Sequence, residues 1–341
     1  MMKDPPVSKR MLYTEELSIG YTDRGKKIML QSGLSLNLFE GDFICLIGPN
    51  GCGKSTLIRT LGGIQKAISG TVFINNKELN TLHYSGRSRY INTVLTDRTA
   101  VDHITVEEIA ALGRYTYTNW LGTLSEQDRF HVRNSIGQVG LTGFEERMLS
   151  TLSDGERQKA FIAKALASDA PLLMLDEPTA HLDVSNRVEI FTLLRNVSII
   201  TGHTCLLSTH DLDLALQLAD EIWLMLPESG IICSTPEEII HEGYLDKVFG
   251  NDTLYFNSLT GNFALRKTSK HKIQFKENSI IPDYALRTFE RLGFSENSKE
   301  EPVALIGTDD TGWMISSGDY KIGKLSLSET CRILKRLMKI N

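Results

Sequence analysis

The chain has 341 residues, 41% hydrophobic and 23% charged, with a formal net charge of −5. That length exceeds one typical domain and predicts a large core with an appendage. The acidic balance argues against nucleic acid as the main partner. Residues 1–16 lack the apolar stretch of a secretory signal, and no apolar run reaches the length of a bilayer span. Cys45, Cys52, Cys205, Cys233 and Cys331 are scattered without metal-ligand spacing, which suits a reducing cytosol.

In chain order, residues 17–21 read as a strand, followed by a polar turn over 23–26. Leu34, Leu36 and Leu38 alternate with polar residues as a second half-buried strand. Tyr21 is an aromatic residue of the kind that stacks on an adenine base; taken alone it reads as a strand-end packing residue.

The short apolar run 43–47 then leads into Gly48, Pro49, Asn50, Gly51, Cys52, Gly53, Lys54, Ser55 and Thr56. This run fits the phosphate-binding loop G-x-x-x-x-G-K-[ST], and Leu57, Ile58 and Leu61 continue it at helical spacing. Glycines let the backbone wrap an anion with several N–H groups pointing inward, and the following helix N-terminus adds its own unpaired N–H groups. Lys54 is expected to reach the β- and γ-phosphates and the Ser55 hydroxyl to ligate Mg²⁺. Cys52 reads as a small filler within the loop. Residues 70–74 and 77–79 predict a hairpin turning at Asn75 and Asn76.

Farther on, Leu172, Leu173, Met174 and Leu175 form an apolar strand that ends in Asp176 and Glu177. Adjacent carboxylates there supply what a nucleotide site still needs: Asp176 to hold Mg²⁺ and Glu177 to polarise the attacking water. Just upstream, Leu152, Ser153, Asp154, Gly155 and Glu156 open a helix. Ser153 and Glu156 make a capping box, so this turn reads equally as a well-capped helix and as a second anion site.

These residues, in this order, resemble the ATP-binding cassette (ABC) ATPases. Residues 152–156 resemble the family signature Leu-Ser-Gly-Gly-Gln. Ala180, His181, Leu182 and Asp183 resemble its aspartate loop, and Ser208, Thr209, His210 and Asp211 its switch segment. The likeness covers roughly residues 12–226. It implies an α/β P-loop core with a helical subdomain (about 97–168), within a cassette spanning 12–266. Tyr21 matches the adenine-stacking aromatic. Ser153, Asp154, Gly155 and Glu156 match positions facing ATP held by the opposite subunit, Asp183 a dimer-interface aspartate, and His210 the histidine that contacts the γ-phosphate. The family arrangement is a head-to-tail homodimer sandwiching two Mg-ATP.

The sequence departs from the family in one place. The glutamine that ligates Mg²⁺ and faces the membrane partner is missing: residues 66–126 contain none. Alignment places Thr96, or its neighbour Asp97, at that position. A threonine hydroxyl is a shorter and weaker ligand, leaving room for a bridging water.

Within the family, Ala111, Leu112, Gly113, Arg114 and Tyr115, the helical region that follows, and residues 211–219 and 233–238 resemble the iron-chelate importers, which serve ferric siderophores, haem or cobalamin. The likeness implies a peripheral subunit on the cytoplasmic face of the cell membrane. It would act on a separate integral permease and, through it, with an extracytoplasmic substrate-binding protein. A non-transport ABC ATPase, such as the iron–sulfur cluster assembly type, is the alternative. A P-loop GTPase or kinase is disfavoured because residues 76–79 fail the guanine-specifying N-K-x-D pattern.

Beyond residue 265 the likeness fades. Residues 254–256 and 263–265 predict a hairpin closing the core, and 267–272 a linker. Residues 270–341 then read as a small α+β domain in β-α-β-β-α order: Ile273 and Phe275 on a strand, Ala285, Phe289 and Leu292 on a helix, and residues 303–306 and 313–315 on strands. Ser326 and Glu329 cap a last helix. The basic residues of that helix read as a solvated face.

Overall fold

The computed structural model describes residues 9–95, 103–118, 122–227, 230–258, 260–266, 271–276, 279–295, 302–309, 312–318 and 320–337. The chain divides into two compact units. The first comprises Met1–Phe249 and Phe256–Asn262, the second Gly250–Tyr255 and Phe263–Asn341.

The first unit is built on a six-stranded sheet in the order Ile231–Ser234, Glu221–Met225, Phe43–Ile47, Thr204–Ser208, Leu172–Asp176 and Ile91–Val94. All neighbours are parallel except the first pair. Phe43–Ile47, Leu172–Asp176 and Thr204–Ser208 are buried at every position. Unbroken apolar runs of this kind belong to parallel strands covered on both faces, whereas half-solvated strands alternate. Leu172–Asp176 and Thr204–Ser208 run in register, which sets Asp176 beside Ser208 at their carboxyl ends. Ligands of open parallel sheets bind at these ends.

A second, antiparallel sheet runs Lys26–Leu34, Arg10–Asp23, Ser69–Ile74 and Lys77–Glu78, with Asn37–Phe39 also pairing with Arg10–Asp23. The hairpin expected at Asn75 and Asn76 is present, both residues having positive φ (50° and 60°) as a tight hairpin turn requires. The leucine run is divided: Leu34 ends one strand and Leu38 lies in another. Between them the buried Thr14 hydroxyl donates to the Leu34 carbonyl (2.8 Å) and accepts from the Leu36 N–H (2.9 Å).

Between Ile91–Val94 and Leu172–Asp176 the described chain is helical: Val106–Ala111, a 3-10 turn over Leu112–Tyr117, Glu126–Gln138 and Asp154–Ala167. Each α-helix starts with a reciprocal capping box, made by Thr105 with Glu108, Ser125 with Asp128, and Ser153 with Glu156. Arg114 is buried among them. It donates from Nε to Asp128 (2.8 Å) and from Nη1 to the Ala167 carbonyl (3.0 Å), so its charge is paired where it leaves water.

The second unit has a five-stranded sheet in the order Phe294–Ser295, His271–Phe275, Pro302–Asp309, Gly312–Ser317 and Tyr320–Leu325. The helices Asp283–Arg291 and Leu327–Leu337 complete it. Ile273, Phe289, Ile306, Trp313, Ile315 and Leu334 are among its core residues. The strand Tyr320–Leu325 is an addition to the expected order. The hairpin Leu254–Asn257 with Asn262–Leu265 is present, its residues divided between the two units and not confined to the core.

Candidate functional site

The loop after Phe43–Ile47 opens directly into the helix Lys54–Leu61. Gly53 caps that helix at φ 109°, a backbone conformation that side-chain-bearing residues rarely adopt. Lys54 is buried, and its ammonium donates to the carbonyls of Gly48 (2.8 Å) and Pro49 (3.1 Å). The charge is thus held inside the curve of the loop. Cys52 is also buried, with its thiol pushed up chiefly by burial, which fits an inert filler.

Gln31 is a support that no local motif marks. This buried side chain donates to the Cys52 carbonyl (3.2 Å) and the Leu226 carbonyl (2.8 Å), and accepts from the Gly230 N–H (2.6 Å). Its signal in the sequence is only a glutamine among exposed strand positions.

Ser55, Asp176 and Ser208 meet at one carboxylate oxygen. Asp176 Oδ1 accepts from the Ser55 hydroxyl (2.9 Å) and the Ser208 hydroxyl (2.7 Å). The structure therefore joins two residues 121 positions apart in the chain, at the end of the phosphate-binding loop and the end of the acidic strand. A hydroxyl and a carboxylate are hard oxygen donors, the kind Mg²⁺ takes alongside phosphate and water.

Glu177 follows in the left-handed region at φ 47°, a conformation costing about 1–2 kcal/mol for a residue with a Cβ. Its N–H donates to the Ser208 hydroxyl (2.9 Å), and its carboxylate meets His210 Nε2 at 2.9 Å. Strain of this kind collects at functional sites. Both side chains remain open to solvent, at 29% and 49% exposed.

Tyr21 lies on Arg10–Asp23 and is 48% exposed. Ile19, two residues earlier, is among the nearest side chains to Gly53, which places this strand over the loop.

Ser153 N-caps Asp154–Ala167, and the Glu156 carboxylate turns back to the Ser153 N–H (2.8 Å) and hydroxyl (2.9 Å). Those bonds hold the Glu156 carboxyl below its usual range. Asp154 is exposed in the first turn of that helix. A Cβ on Gly155 would stand 2.6 Å from Asn186 Oδ1, so any larger residue there would have to displace that amide. Asp183 caps Val184–Thr201, accepting from the Asn186 N–H (2.8 Å) and the Ser185 hydroxyl (3.0 Å). Those bonds lower its carboxyl as well. Thr96 and Asp97 lie outside the described residues.

Near Ile91–Val94 a cavity of about 420 Å³ is lined by Tyr84, Arg87, Thr93, Leu112, Tyr115 and Lys164 among others. Tyr84, Leu112 and Tyr115 are exposed. No helix among the described residues is long and apolar enough to cross a membrane.

Comparison with known proteins accords with this geometry. Residues 31–180 match the ABC transporter family. The achromobactin transport ATP-binding protein of Dickeya dadantii is 34% identical over 239 residues, covering 70% of this chain and 87% of that protein. The iron(3+)-hydroxamate import ATP-binding protein of Bacillus subtilis is 32% identical over 241 residues, covering 71% of this chain and 88% of that one. Among solved structures, a dimeric ATP-binding cassette in a post-hydrolysis state with ADP and phosphate aligns with a TM-score of 0.59. It shares 25% identity and covers 66% of this chain and 99% of that chain. A phosphate-binding loop, an acidic strand end and a capped signature helix on one parallel sheet therefore have a family: the chain is an ATP-binding, ATP-hydrolysing subunit of the ABC transporter family.

Proposed function

We propose that this chain powers import of an iron chelate, a ferric siderophore foremost and haem or cobalamin within the same class, through a separate membrane permease. The single observation that carries the site assignment is the meeting of Ser55, Asp176 and Ser208 at one oxygen, with Glu177 and His210 beside them. The phosphate-loop N–H groups and Lys54 hold the β- and γ-phosphates, and Tyr21 stacks on the base. Ser55 and Asp176 would hold Mg²⁺, which offsets phosphate charge when bound, with Thr96 as the third contributor.

Glu177 accepts a proton from the attacking water while the bond from γ-phosphorus to the bridging oxygen breaks and ADP leaves. His210, hydrogen-bonded to that carboxylate, keeps it aimed and contacts the γ-phosphate. Ser153, Asp154, Gly155 and Glu156 face the ATP of a second copy, and Asp183 works across the same interface. That arrangement makes the ATP-bound state a homodimer and puts a helix N-terminus against developing charge.

The exposed rim of Tyr84, Leu112 and Tyr115 supports docking of a permease at the cavity they border, on the cytoplasmic face of the membrane. An extracytoplasmic binding protein would deliver the chelate to that permease. The iron assignment rests on the relatives' transport roles. The test is uptake of an iron-labelled hydroxamate siderophore by proteoliposomes holding the chain and its co-purified permease. ATP-dependent uptake is expected. Failure of any membrane protein to co-purify, with ATPase intact, would instead favour a non-transport ABC ATPase.

A further inference from the structure

The segment bearing His210 is tied down by Arg187, a residue outside the recognised motifs, through Asp211. Asp211 follows His210 at the start of the helix Leu212–Leu218. A carboxylate at that place ordinarily accepts from first-turn N–H groups, yet Asp211 makes no such capping bond. Its oxygens are committed sideways. Oδ2 accepts from the Thr179 hydroxyl (2.7 Å) and Oδ1 from Arg187 Nη1 (2.6 Å), while its own N–H donates to Thr209 Oγ1 (2.9 Å).

One carboxylate thereby joins three segments. Thr179 lies two residues past Glu177. Arg187 is in the first turn of the helix that Asp183 caps, its N–H bonded to the Asp183 carbonyl (3.0 Å). Glu177, Thr179, His181, Arg187, His210 and Asp211 line one cavity of about 240 Å³. The Arg187 and Asp211 side chains are only 35% and 15% exposed, so water screens this pair less than a surface pair. His210 itself is 49% exposed, so packing around the ring does not fix it. Its backbone must.

We propose that Arg187 is a positioning residue for hydrolysis: by holding Asp211 it keeps His210 against Glu177. The proposal rests on the reading of Glu177 and His210 as the catalytic pair. A displacement of about 1 Å at a reacting group costs up to roughly a hundredfold in rate, whereas phosphate binding by Lys54 and the loop is unaffected by this tie. Arg187 reaches Asp211 through one nitrogen, so a lysine can take its place in part.

The experiment uses the full chain with Arg187→Ala, Arg187→Lys, Asp211→Asn, the Arg187→Ala/Asp211→Asn double variant and Thr179→Val. The readouts are ATP Kd by calorimetry, and kcat and KM by phosphate release. Arg187→Ala should lower kcat about ten- to a hundredfold with ATP Kd within about twofold of the parent. Arg187→Lys should recover most of that loss, and the double variant should fall no further than the lower single. Should Arg187→Ala misfold, Thr179→Val frees the other oxygen of the same carboxylate and should show the same loss confined to kcat. Parent kcat in Arg187→Ala or Thr179→Val, loss of Kd in step with kcat, or additive losses in the double variant would overturn the proposal. Glu177→Gln in the same assay separates the two ideas. If it hydrolyses at the parent rate the catalytic-pair reading fails; if it is inactive while Arg187→Ala is unimpaired, only the positioning role fails.

Discussion

The two units bury different things. In the first, the polar residues Lys54, Asp176, Ser208 and Thr209 are buried at the ends of apolar parallel strands, each with hydrogen-bonding partners at short range. In the second, the buried set is apolar except for Thr330, among the described residues, and Thr330 bonds only within its own helix region, to the Ser326 carbonyl (3.0 Å). Taking a charged or hydroxyl group out of water costs several kcal/mol unless it is paired, so a fold keeps such groups only where pairing is built in. The first unit pairs buried polar groups in several places, and gathers Lys54, Asp176, Ser208 and Thr209 around the carboxyl ends of one sheet, where a phosphate would sit. The second, beyond the hydrogen bonds of its sheet and helices, is held by apolar packing among its described residues. Nucleotide chemistry therefore belongs to the first unit, and the second should be separable from it.

The sharpest break of that separation is Phe289→Ala. Phe289 is buried and meets Trp313 edge-on at 5.5 Å. Truncation should cost the second unit about 3–5 kcal/mol, seen as an early calorimetric transition, while the ATPase rate below that transition stays at the parent value. Loss of ATPase in step with that transition would show the units to be coupled.

A smaller effect, on the other unit, is expected of Lys54→Ala. Losing a charge-assisted contact of about 1.5–3 kcal/mol should weaken ATP binding roughly tenfold or more by calorimetry and leave the second unit's transition in place. Unchanged binding would remove the loop from the nucleotide site.

The smallest effect belongs to Thr96→Ala. On the proposed site, Lys54, Asp176 and the loop would hold Mg-ATP without it, so ATP affinity should change by no more than about twofold. Stimulation of ATPase by the reconstituted permease should change more. Asp97→Ala is the control for the alignment, and normal stimulation in both variants would place the coupling contact elsewhere.

What could be read from the sequence follows the range of the interactions. The phosphate-binding loop, the acidic strand end and the Ser153–Glu156 capping box are each made within a few residues, so their patterns stand in the sequence. The turn at Asn75 and Asn76 is legible for the same reason. Strand Tyr320–Leu325 was not, because it is an outer strand with Tyr320, Lys321, Gly323 and Lys324 exposed and no regular apolar alternation. Strand Lys26–Leu34 is legible only at its ends, as a turn over 23–26 and an apolar position at Leu34, because its first four residues are exposed. Gln31 reaches carbonyls 21 and 195 positions away, and Arg187 reaches a carboxylate 24 positions on. Such ties leave no periodic trace, and only the folded sheet brings their ends together.

The central claim is that one set of residues binds ATP and another, Glu177 with His210, carries the chemistry. Its most direct test is Glu177→Gln, with ATP Kd and phosphate release measured on the same preparation. The amide cannot take a proton from water but keeps the shape, and the phosphate-binding loop is left unaltered. Hydrolysis should fall about 10²–10⁴-fold with Kd nearly unchanged, and an ATP-dependent dimer should accumulate on size-exclusion chromatography. Hydrolysis at the parent rate would contradict the account.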